Sequence, residues 1–528
     1  MNGYRIIASC LWLCLTATIS AQSFEEYKRQ QQAKFNTYAQ EKAEEYRAYR
    51  DRVNAEYADY MRRAWTQEEA QPANPLPKRP EPPRPAVRNP MDIPKFDAIP
   101  FGEVRDLNLP QLPKPEPVIP IDQLEQLVIT APDNPNASDN GNPKEGAEPE
   151  TDHEATPEPT SPEEGKDNAK QEGMAFKWCG QTWSVPLEKR HRFRLKSANE
   201  ADVADVWRQL SGAKYAGVVA ACLRARNDHH LPDWGYLRFL ETMADAFLPG
   251  QKNEARLLTM FVLVQSGYQV RIARADGRLF LLVPSSGEIY GYSFLLLGGK
   301  KYYVMEQGMG TRSFHVFERN FPKEQPFVWH ISQRPLLSGE VGMRLLQGKQ
   351  HPETRVMVEV NQGLMELYEH YPKCNDWNLY ALSSLSDRAK EGLYPTLRAA
   401  MNGRTNVEAV GVLLDFVQTA FEYKTDAEQF GTERPLFGDE TLFYPYSDCE
   451  DRAILFSILV RELLGLDIVL LNYPGHLATA VCLGDDVAGD YFELSGKHYV
   501  VCDPTYIGAH VGESMPEYKN ARATILRI

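Results

Sequence analysis

The sequence predicts an α+β fold, a helix pattern followed by a run of short strands, laid down twice along the chain. Three observations carry that expectation. An apolar run with helical spacing from about Glu450 to Leu464 stops at Gly465 and gives way to "LDIVLLNY", "HLATAVCL", "DYFEL" and "KHYVVCD", strand-like runs parted by Gly, Pro or Asp. An earlier stretch echoes it: "QKNEARLLTMFVLV" lines up with "SDCEDRAILFSILV" at an offset of 196, and "GGKKYYVME" with "SGKHYVVCD" at 197. A nearly constant offset over some fifty residues is the mark of a diverged duplication rather than of two similar helices. Finally, a proline-rich and acidic stretch ends near "FKWCGQTW", which sets the start of the ordered region at about residue 174.

Taken in order, residues 1–21 read as a secretory signal peptide: Arg5, an apolar run to Ile19, then Ser20 and Ala21 before the cleavage point. Two other readings stay open, a lipoprotein box at Cys10 and an uncleaved anchor. The product is expected to be exported, whether periplasmic, cell-surface or secreted. Residues 22–70 form a charged helix with a stripe at Phe35, Ala39, Ala43, Tyr46, Tyr49, Val53, Tyr57, Tyr60 and Ala64. Such a helix either stands in solvent or binds a protein partner or a second copy of itself. Residues 71–173 read as a disordered linker, since proline and charge leave too little apolar surface to offset chain entropy. Two apolar patches in it, "IPKFDAIPF" and "IDQLEQLVI", are candidates for docking on the folded part. Residues 174–345 and 346–528 then hold the two copies.

A net charge of −14 and a pI near 5.4 exclude a surface built for nucleic acid phosphates or anionic lipid. Six cysteines remain beyond the signal, too few for a disulfide framework, and no C-x-x-C pair suggests a structural metal. No metal or cofactor is expected. The tandem His229 and His230 read as a loop, and Cys482 and Cys502 as core residues.

The chemistry lies in the second copy. Cys449 falls at the start of a helix, His476 at the head of a strand, and Asp503 at the end of a later strand before Pro504, each 27 positions after the one before. A helix N-terminus and an imidazolium both favour thiolate, and a carboxylate on the second ring nitrogen fixes the histidine tautomer. The three therefore make a nucleophilic triad. Asp448, Glu450 and Asp451 oppose it, because negative charge disfavours thiolate. The backbone N–H of Cys449 with a second donor from Tyr446, Tyr444 or Gln418 is the expected oxyanion site.

Together "SDCEDRAILFSILVRELLG", "YPGHLATAV" and "YVVCDPTYIGA" resemble the catalytic core of the transglutaminase-like superfamily, in the form found among exported proteins of Bacteroidetes. The resemblance covers about residues 405–515, and the first copy only as an echo. It implies a papain-like α+β core with a helix packed on an antiparallel sheet, Cys449 as nucleophile, His476 as base, Asp503 as orienting acid, and Pro504 and Thr505 completing the signature. It also implies a peptide or other amide as substrate. Hydrolysis, acyl transfer and an inactive scaffold all occur in that superfamily. In the first copy the cysteine position falls on Asn253, the aspartate on Glu306 and the histidine on Phe280 or Leu279, so that half is expected to be catalytically dead.

Overall fold

A computed structural model describes residues 4–76, 85–107, 115–118, 120–121, 173–285, 287–331, 333–374, 376–484 and 486–528. Most of "IDQLEQLVI" and the acidic stretch after it lie outside these residues. The chain opens with one helix, Tyr4–Met61, that runs from the apolar leader through the charged segment without a break. One face of its last turns is buried, with Tyr57 edge-on to Phe317 and Phe321 and tilted against Trp207. The C-terminal part of the tyrosine–alanine stripe thus packs on the first half of the chain.

Strands β1 (Thr66–Glu69) and β2 (Phe101–Asp106) follow, then the hairpin of β3 (Met174–Trp178) and β4 (Gln181–Val185). Helices Glu200–Leu210, Ala216–Asp228, Asp233–Phe247 and Lys252–Gln265 lead into β5 (Arg271–Ala275), β6 (Arg278–Ser285), β7 (Phe294–Leu297), β8 (Lys300–Val304) and β9 (Ser313–Phe317). A second hairpin, β10 (Val341–Leu346) and β11 (Val356–Asn361), precedes helices Gln362–Glu369, Asp387–Met401 and Asn406–Thr419. Short β12 (Glu422–Tyr423) and β13 (Tyr446–Ser447) lie side by side just before helix Cys449–Leu464. Gly465 ends that helix in the left-handed conformation at φ 65°, where a side chain would be strained. Strands β14 (Ile468–Tyr473), β15 (His476–Cys482), β16 (Tyr491–Leu494), β17 (Lys497–Cys502) and β18 (Ala523–Arg527) complete the chain.

The strands form two six-stranded sheets of matching order, β7-β8-β6-β5-β9-β1 and β16-β17-β15-β14-β18-β2. Every neighbouring pair is antiparallel except β2 on β18. The architecture is therefore α+β, each sheet with a buried helix against it. One hydrophobic core runs through both halves, from Val53 and Trp207 to Phe456 and Cys502.

The outer strand of each sheet, β1 or β2, comes from the N-terminal segment. Part of the stretch read as linker is thus built into the fold: Ile99 is buried, Ala98 bridges Tyr491, and β2 lies on β18. A strand at a sheet edge needs partners on one side only, so a short apolar run between prolines suffices. The boundary expected at 345/346 falls inside β10, whose partner β11 leads into the second half.

Candidate active site

The local fold brings His476 and Asp503 together. The β14–β15 hairpin turns through Pro474 and Gly475, the glycine at φ 79°, and pairs Tyr473 with His476 at its mouth. β17 ends at Cys502, and Asp503 follows with its Oδ1 accepting the N–H of Thr505 at 2.9 Å. Its Oδ2 lies 2.8 Å from Nε2 of His476, and both side chains are buried. An ionised Asp503 accepts the Nε2 hydrogen and so leaves Nδ1 as the ring's acceptor. Nδ1 is buried with no hydrogen-bond partner.

Cys449 reaches the same place from the helix. It is the first helical residue after the N-cap Asp448, and the backbone N–H of Leu477, the residue after His476, donates to its sulfur. The thiol in turn donates to Oε2 of Glu450 at 3.0 Å. Cys449, His476 and Asp503 are each 2% exposed. The Tyr518 ring stacks on the imidazole at 4.7 Å between centroids. Burial, its largest cause, pushes its phenol up to about 12.

The electrostatics favour a protonated thiol at rest. Burial first, then the charges of Glu450 and Asp448, hold Cys449 well above the ordinary thiol range. Every residue of the helix from Cys449 to Val460 is buried, so its acidic first turn is not solvated. Asp426 and Asp448 are raised by burial and then by neighbouring carboxylates, as is Asp451 by burial and Glu450. The buried guanidinium of Arg452 is the local positive charge, and its hydrogens go to Ser447 Oγ and to the carbonyls of Gln418 and Phe421.

Gln418 does not have the contacts of an oxyanion donor. Its Nε2 gives its two hydrogens to the carbonyls of Asp503 and Ala509, and its Oε1 accepts from Gly508 N–H, so it holds the loop that carries Asp503. Tyr446 lies in β13 with its ring beneath the Lys424 ammonium, 3.7 Å from the centroid. The Tyr444 ring lies edge-on to Phe430 and Phe443. The residues that sequence reasoning missed are Tyr518 and Leu477. An aromatic beyond the "DPT" stretch and a backbone N–H leave no spacing signal. The six described cysteines, Cys482 and Cys502 included, are free thiols.

No protein-family model, curated protein or solved structure matches this chain.

The first half has a comparable corner. β5 and β6 pair Ala275 with Arg278 around Gly277 at φ 72°, the same register as Tyr473 with His476 around Gly475. In that hairpin register Arg278 stands where His476 does, one residue before the Leu279 expected from the offset of "GGKKYYVME". Arg278 Nη2 donates to both oxygens of Glu306 at 2.7 Å, where His476 meets Asp503. Asn253 Oδ1 accepts the N–H of Leu279 at 2.9 Å, where the Cys449 sulfur accepts that of Leu477. An amide and an ion pair thus stand in place of thiol and imidazole.

Proposed function

We propose that this chain is an exported thiol hydrolase of the transglutaminase-like, papain-like type, cleaving a peptide or other amide bond through a thioester at Cys449. The observation that supports it most is the His476 imidazole: Nε2 is held by Asp503, Nδ1 is buried without a partner, and the next residue's N–H meets the Cys449 sulfur. On this reading Nδ1 takes the thiol proton as sulfur attacks the carbonyl carbon, and the C–S bond forms while an electron pair moves to oxygen. Collapse breaks the C–N bond, and the amine leaves with that proton. Water then gives a proton to Nδ1 and attacks the thioester; the C–S bond breaks, a carboxylic acid departs and the sulfur recovers its proton.

Hydrolysis is preferred to acyl transfer because no feature of the sequence or of the described residues marks a site for an acceptor amine. The matching strand orders and the paired corners support a duplicated unit whose first copy has lost its nucleophile. A second reading, a binding or scaffold protein with a vestigial triad, is favoured by the covered and protonated thiol.

A thiol-reactive probe near neutral pH separates the two. The hydrolase reading expects Cys449 to react faster than Cys482, and products from pools of peptides, glutamine amides or cell-wall stem peptides to vanish in Cys449→Ala and His476→Ala. Equal reactivity of Cys449 and Cys482, with function unchanged in Cys449→Ala, would establish the scaffold.

A further inference from the structure

Beside the triad lies a group of carboxylates that the proposed cleavage leaves unused. Asp426, Asp448 and Glu450 are all buried, and each offers one oxygen such that the three lie within 4.8 Å of one another. Two oxygens bound to one calcium ion at about 2.4 Å stand at most about 4.8 Å apart, so one ion can reach all three carboxylates. Asp448 is 1% exposed, and its Oδ1 has no hydrogen-bond partner, while Oδ2 accepts the N–H of Asp426 at 3.3 Å. A bare carboxylate oxygen at this depth is a costly feature unless something binds it.

The neighbouring cations do not supply that partner. Arg452 gives its hydrogens to a hydroxyl and two carbonyls, and Arg434 pairs with Glu440 through Nη2 while its buried Nη1 meets no acceptor. Oxygen-only donors, with neither sulfur nor imidazole in the set, select a hard ion.

We propose that Asp426, Asp448 and Glu450 bind one hard divalent cation, calcium-like in its preference, at the first turn of helix Cys449–Leu464. The site closes the end of that helix on the segment carrying Asp426 and draws on Glu450, the same side chain that accepts the Cys449 thiol hydrogen. It stands on the carboxylates alone and does not require Cys449 to react.

The test uses the full chain, stripped with chelator and dialysed. Millimolar CaCl2 is expected to raise its melting temperature by roughly 3 °C or more, and calorimetry to give one site per chain. Terbium should luminesce on tyrosine excitation, because Tyr423 lies beside Asp448 and Glu450, whose charges act on its phenol. Asp426→Asn, which keeps an oxygen to accept from Arg434 N–H, should abolish all three signals. Glu450→Gln checks the result with a ligand from the first turn of the helix itself. No heat and no shift in the wild type with either CaCl2 or MgCl2 would overturn the proposal, as would signals of undiminished size in both variants.

Discussion

Cys449 meets two opposed influences: a helix N-terminus and an imidazole neighbourhood that suit a nucleophile, and burial with two carboxylates that keep its proton on. Residues around it show how such a corner is held. Gln418 makes three hydrogen bonds to the loop after Asp503, so Gln418→Leu should lower stability by about 2–4 kcal/mol in urea unfolding and slow any Cys449-dependent reaction by misplacing Asp503. Two further buried acids set a pH dependence. Asp439 is pushed up to about 6 and Glu440 to about 7, burial being the main cause for each. Ser386, Lys390 and Arg334 face Asp439, while Arg434, the N–H of Phe437 and Glu369 face Glu440. Their folded values lie above their unfolded ones, so their contribution is complete below about pH 4 and is lost as pH rises through about 6 to 7. The melting temperature should therefore fall between about pH 5 and pH 8, and Asp439→Asn with Glu440→Gln should flatten that slope.

At the scale of elements, an N-terminal strap is bonded to the loop over His476 and Asp503. Arg88 pairs with Glu513, Arg88 and Ile507 exchange backbone bonds with their neighbours across the gap, and Lys519 donates to the carbonyl of Lys95 and pairs with Asp490. Tyr518 rides on that loop and covers His476. Arg88→Ala should raise hydrogen exchange across 504–519 and speed labelling of Cys449, with the fold intact by circular dichroism. Labelling no faster than in the wild type would show that the strap does not gate the thiol. The helix Cys449–Leu464 and the four strands after it were legible because period, glycine stops and proline breaks all agree there. β1 and β2 were not: a four-residue strand of Thr, Gln, Glu and Glu carries no alternation, and only the sheet edge it meets makes it a strand.

Across the whole molecule, the two halves share one core, into which the last turns of the first helix also pack. Calorimetry should therefore show one cooperative transition rather than two. Deleting residues 1–107 removes β1, β2 and the aromatic contacts of Tyr57, and bares β9 and β18 as sheet edges. That truncation should melt at least about 5 °C lower and aggregate on heating. Among the described residues no helix is long and apolar enough to cross a membrane.

The sequence by itself determined what is local: where helix Cys449–Leu464 starts and stops, the strands after it, and the alternation of thiol, imidazole and carboxylate along the chain, since periodicity and turn residues act over a few neighbours. Tertiary structure decided what depends on distant segments meeting. It set the pairing of His476 Nε2 with Asp503, the Arg278–Glu306 pair in the matching corner, and the strap that supplies two outer strands. It also brought Asp426 against Asp448 across 22 residues, which gives the acidic first turn its buried company. Burial and register are properties of the packed chain, and no run of neighbouring letters encodes them.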